Sequence, residues 1–196
     1  MPEDRIELWW LPVGAGGHVV IHTSAWWEHL QARRERRSPQ PLYHAALEVF
    51  QGGHRHLIEM TPAWSAPVHE RGVVATGPVG ARWLGFSRFF RYEVRCWADG
   101  ILPDREWAVA SPATFPLASG TAEALIARVG RIPAYTWGRD ALGCGDMWNS
   151  NSLASWLLLT AGIDAERVVP PSGGRAPGWR AGLVAGREER DRTAAT

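Results

Sequence analysis

Apolar alternation and helical spacing divide this chain into a strand-rich first half and a helix-rich second half. Alternation over 6–13 and again over 18–23 predicts two strands joined across Gly14-Ala15-Gly16-Gly17. A helix is expected over 24–37, closing on Arg33-Arg34-Glu35-Arg36-Arg37, where cations suit the negative end of the helix dipole. Residues 42–50 and 55–60 form a hairpin about Gly52-Gly53. Residues 73–76 and 89–97 read as further strands. Helical periodicity returns over 121–129, opened by Thr121 as cap, and over 151–161, where Leu153, Trp156, Leu157, Thr160 and Ala161 share a face. Residues 170–179 read as loop. Residues 1–185 are expected to form a single globular domain and 186–196 a charged, disordered tail.

Composition changes this picture mainly by exclusion. The chain has 196 residues, 45% of them apolar, and a formal net charge of +1, enough for one sizeable core and no overall charge argument for nucleic acid or an anionic surface. All 21 basic residues are arginine, which removes Schiff-base chemistry and the Walker-type phosphate loop, since both need an ammonium group. Twelve tryptophans can hold a small core together or line an apolar pocket. Cys96 and Cys144 have no zinc-site or disulfide spacing, so a reduced, cytoplasmic setting is expected. Acidic residues stand near the start where a signal peptide would be basic, and no apolar run approaches the roughly 20 residues of a membrane span. Neither a metal nor a cofactor is expected. His18 and His22 share a strand face about 13 Å apart, too far to hold one ion together, and Asp99, Asp104 and Asp140 with Arg139 read as turn and capping residues.

Two segments carry candidate chemistry. In the first, Asp146-Met147-Trp148-Asn149-Ser150-Asn151-Ser152 leads into the helix, with Asn149, Ser150 and Asn151 each suited to the N-cap. Ser152 falls in the first turn, where unpaired amides and the helix dipole favour an anionic nucleophile or an oxyanion. The same run also reads as a plain polar cap on a core helix. In the second, His44, Ala46 and Glu48 share one face of a strand. The residue opposite His44 on the next strand lies between Glu59 and Thr61, which makes Glu59 the acidic group within reach. A carboxylate against an imidazole fixes its tautomer and raises its basicity. Glu59 equally suits an ordinary cross-strand pair, and His44 a core position.

A histidine strand, a carboxylate or second histidine on the next strand, and a nucleophile opening a helix about a hundred residues later resemble the circularly permuted papain-like superfamily of NlpC-like amidases, lecithin:retinol acyltransferases and YiiX-like proteins. Asn151-Ser152-Leu153-Ala154-Ser155 through Gly162 is similar to the nucleophile helix of the acyltransferases, which puts Ser152 where the family has cysteine. His44 takes the place of the family histidine. Leu57-Ile58-Glu59-Met60 resembles the Val-Ile-Glu-Ala strand of the YiiX-like branch, giving Glu59 the third polar place, whereas His56 matches the second histidine of the acyltransferase branch. The resemblance covers residues 40–162. It implies an α+β fold, an antiparallel barrel-like sheet packed against helices in permuted papain-like topology.

Two functions follow from that resemblance. One is a hydrolase or acyltransferase acting on an ester, thioester or amide, with Ser152 as nucleophile, His44 as base, and Glu59 or His56 as orienter. Its oxyanion hole would be the Ser152 amide with that of Asn149 or Trp148. Serine for cysteine weakens that chemistry, because a hydroxyl must lose its proton during attack; Cys144, eight residues upstream, is a substitute thiol. The other is a non-catalytic relative that binds a small-molecule, acyl or peptide ligand, with Trp148, Asn149, Asn151 and Trp156 lining the site. Neither the substrate nor the oligomeric state is specified by the sequence.

Overall fold

The computed structural model describes residues 3–14, 28–63, 72–102, 105–110, 112–171 and 173–195. Among these, strands β1 (Arg5–Pro12), β2 (Tyr43–Gln51), β3 (His54–Pro62), β4 (Val73–Pro78), β5 (Arg91–Ala98) and β6 (Ala113–Pro116) form one sheet. The helices are α1 (Thr121–Val129), α2 (Ser150–Thr160) and α3 (Trp179–Ala194). Residues 28–34 are also helical. The strand expected over 18–23, with His18 and His22, and residues 24–27 of the expected helix lie outside the described residues.

The strand order is β4-β5-β3-β2-β1-β6, with every pairing antiparallel. β4 and β6 stand at opposite edges, so the barrel-like expectation is corrected: the described sheet is open. The β2–β3 hairpin closes on Gln51↔His54 across Gly52 and Gly53, both with positive φ, as a two-residue turn matched to strand twist requires. Its ladder ends at Leu47↔Ile58, although β3 continues along β5 to Pro62↔Tyr92. The ladder therefore opens beside the first residues of β2.

Alternation along the strands gives the sheet two different faces. Ile6, Leu8 and Trp10 of β1, Ala45, Leu47 and Val49 of β2, Ile58 and Met60 of β3, and Val94 of β5 point toward α1 and α2 and form the main core. Trp9, Leu11, Ala46 and Leu57 point the other way, with Leu102 packed on them. Burying this apolar area is what holds helices and sheet together, at about 25 cal/mol per Å² removed from water.

Helix α2 is buried from Ser150 to Leu159, a central element with no solvent face. Asn149 caps it: its side chain accepts from the Asn151 amide, and Ser152 reaches back to the Asn149 amide, a reciprocal capping pair. α1 begins instead behind Gly120, in the left-handed region and without a side-chain cap bond, so Thr121 is the first helical residue and not the cap.

The described residues of 170–178 carry no helix or strand, as a loop should, whereas the segment expected as a tail is helical: α3 spans Trp179–Ala194. Glycines at 178, 182 and 186 gave that segment a loop-like composition. In the fold they let α3 lie against α2: a Cβ at Gly182 would come within 2.1 Å of the Ser152 carbonyl oxygen and Ser155 Oγ. Packing against α2 overrides the low helix propensity of glycine. Beyond Gly186 the helix carries charged side chains tied by Arg187–Glu166 and Arg192–Glu189 pairs.

Candidate functional site

The polar run before α2 joins two helix beginnings. Asp146 accepts from the Met147 and Gly178 amides through Oδ1 and from the Arg180 amide through Oδ2, capping the start of α3 across the chain. Burial raises the Asp146 carboxyl above its usual range, and these amide bonds oppose that rise. Asn149 and Asn151 both donate to the Pro177 carbonyl, at 2.8 Å each. Ser155 donates to the Trp179 carbonyl at 2.8 Å.

Ser152 belongs to the same latch. It is fully buried, its oxygen accepts the Asn149 amide at 3.0 Å, and its hydroxyl lies 2.8 Å from the Gly178 carbonyl, to which it donates. The three amides expected to stabilise an oxyanion are also committed. Ser152 N–H donates to the Asn149 carbonyl, Asn149 N–H to Ser152 Oγ, and Trp148 N–H to the Arg139 carbonyl. The helix entry has the right residue types for an oxyanion hole, but internal bonds take up its donors.

Asn151 explains where the opened sheet ladder finds its partner. Its Oδ1 accepts from the Ala45 amide at 2.7 Å and its Nδ2 donates to the Tyr43 carbonyl at 2.9 Å, so a side-chain amide completes the free rung of β2. Trp148 and Trp156 are fully buried core residues and offer no ligand surface. Trp148 stacks edge-on against Tyr135.

His44 does not join Ser152. It pairs with Leu11, and that register places it on the second face, away from Ala45 and the α2 core. Burial lowers its pKa to about 4, opposed by the Ala45 backbone, so the ring is neutral near pH 7. Among the described residues no carboxylate contributes to that shift. Glu59 lies on the same face, two residues from Leu57, and accepts from Arg95 at 3.2 Å; Arg95 also bonds Glu93. His56 has the parity of Ile58 and Met60, so it points to the face opposite His44 and sits at the hairpin end of β3. Of the expected set, the fold brings Ser152, Asn149 and Asn151 together, puts His44 and Glu59 across the sheet from them, and pairs neither histidine with Ser152.

The second face carries charges that the sequence reading did not group. Glu48 is fully buried, accepts from the Trp9 indole at 3.0 Å and faces Arg55 and Arg105 at 3.5 Å each. Arg105 also lies over the Trp9 ring. Alternation put Glu48 with His44; Arg55 comes from the next strand of the same hairpin, and Arg105 from a distant position with no local signal.

Burial pushes the Cys96 thiol up to about 11, and the Cys144 thiol contacts the Asp146 carbonyl at 3.8 Å. Among the described residues no three His, Cys, Asp or Glu converge to hold a metal ion, and no helix is long and apolar enough to cross a membrane. An open cleft of about 490 Å³, lined by Ser119, Thr121, Arg128 and Gly162 among others, lies at the far end of α2 from Ser152. No family model, curated protein or solved structure matches this chain.

Proposed function

We propose that this chain is a non-catalytic binding domain, a relative of the permuted papain-like proteins that has helix on sheet without a working nucleophile. One observation carries the reading. The buried Ser152 hydroxyl is bonded on both sides, to the Asn149 amide and the Gly178 carbonyl, while His44 lies on the other face of the sheet. An attacking serine needs a neighbouring base and an approach path for the carbonyl carbon. Among the described residues neither is supplied to Ser152. The ligand class that the resemblance implies is acyl or peptide, and the two free cysteines suit a reducing, cytoplasmic setting.

The test is incubation of the full chain with a fluorophosphonate, read by intact mass. The protein is expected to stay at its unmodified mass. Stoichiometric addition that disappears in Ser152→Ala, while a second serine variant keeps it, would restore the hydrolase reading.

A further inference from the structure

Between β4 and β5 the chain makes two short 3₁₀ turns, Arg82–Phe86 and Arg88–Phe90, that display aromatic rings outward. Trp83 is 73% exposed, Phe86 77%, Phe89 64% and Phe90 43%. The backbone under them is internally satisfied: Leu84 donates to Ala81, Ser87 to Leu84, Phe90 to Ser87 and Val79 to Phe90. The Arg91 guanidinium staples the loop by donating to the Gly85 and Phe86 carbonyls. Gly85 seats it on Pro78, where a Cβ would come within 3.0 Å. The rings are thus held out by an ordered turn.

Charge on this strip is of one sign. Arg82 and Arg88 are exposed, Arg88 lies 5.4 Å from the centre of the Phe89 ring, and the sequence has no Asp or Glu from 72 to 92. The nearest loop adds Arg139, which bonds the Gly80 carbonyl, and Asp140, whose carboxylate is turned onto the Cys144 and Gly145 amides. A net charge of +1 over the whole chain conceals this local excess.

We propose that residues 82–90 dock the protein on an anionic lipid surface, with Trp83, Phe86 and Phe89 entering the headgroup region and Arg82 and Arg88 meeting lipid phosphates. A cluster of four exposed rings is unusual for a surface that stays in water. Interfacial tryptophan and phenylalanine beside arginine match the amphipathic boundary of a bilayer. The exposed side chains of 82–90 are all aromatic rings or arginines, and the half-buried Ser87 is the one neutral polar side chain of the segment. This inference is independent of whether Ser152 is catalytic.

The experiment is co-sedimentation of the full chain with phosphatidylcholine vesicles and with phosphatidylcholine–phosphatidylserine vesicles, alongside sedimentation velocity without lipid. Binding is expected on the anionic vesicles, weakened by salt. Arg82→Gln with Arg88→Gln should weaken it about 30-fold, and Trp83→Ser with Phe86→Ser more than tenfold. Both variants alter exposed side chains, and an unchanged melting curve verifies their fold. Three results would each overturn the proposal: no sedimentation with anionic vesicles, equal binding to neutral ones, or binding untouched by both variants. A dimer that Trp83→Ser with Phe86→Ser dissolves, with no vesicle binding, would assign the strip to a second copy of the chain instead.

Discussion

Ser152 Oγ and the Gly178 carbonyl are 2.8 Å apart, and this bond ties the first turn of α2 to the start of α3. A hydroxyl sited like a nucleophile is thereby a structural fastener. Ser152→Ala leaves the half-buried Asn149 amide and the buried Gly178 carbonyl without that partner, at an expected cost of about 1–3 kcal/mol. Urea denaturation of the two proteins measures it, and a change below about 0.5 kcal/mol would contradict the role.

Gly182→Ala reverses the usual benefit of replacing a helical glycine. Alanine gains about 1 kcal/mol of helix propensity, but its Cβ would meet the Ser152 carbonyl and Ser155 Oγ at 2.1 Å. A net destabilisation of about 2 kcal/mol is expected. Gly186→Ala meets the movable end of Leu159 at 2.9 Å and should cost less. Equal midpoints for the two variants in guanidinium would show that α2 and α3 pack more loosely than described.

His44 makes stability depend on pH. Its folded pKa of about 4 lies below the ordinary value of 6.5, so the unfolded chain binds a proton first as pH falls. Its contribution is intact above pH 6.5 and is lost on descent toward pH 4, at most about 1.4 kcal/mol per pH unit and less because the residue is only half-buried. His44→Gln should flatten that part of the profile. The comparison is denaturation midpoint against pH, and parallel curves would refute it.

Arg95→Met removes one cation from beside Glu59 and Glu93 on a buried face, with an expected loss of about 3 kcal/mol. Adding Glu59→Gln and Glu93→Gln should recover much of it, since less buried negative charge then faces the site of the missing guanidinium. Failure of that rescue in thermal melts would mean Arg95 acts through packing of its stem.

How much of this was legible in the sequence depends on the range of the interaction. Gly52-Gly53 specifies its hairpin through backbone conformations that other residues avoid, and Asn149 to Ser152 specifies a helix start through local hydrogen bonds. The shared face of His44, Ala46 and Glu48 also follows from alternation alone. Which face receives α2 does not, because both are apolar: Leu8 and Trp10 on one side, Trp9 and Leu11 on the other. The pairing of Ser152 with His44 needed that missing bit. α3 escaped detection for a related reason, as its glycines disfavour a helix locally and become useful only against α2.

The Asn151 rung in the sheet has a consequence for the order of assembly. Residues 45 and 151 are 106 positions apart, so β2 cannot satisfy its last amide until most of the chain exists. During synthesis the hairpin can form early, but the nascent sheet waits with an open rung for the distant asparagine. Folding of this kind, dominated by remote contacts, is slow and late. A chain cut before α2 would retain the strands yet lack the piece that closes them, leaving a strand edge available to neighbouring molecules.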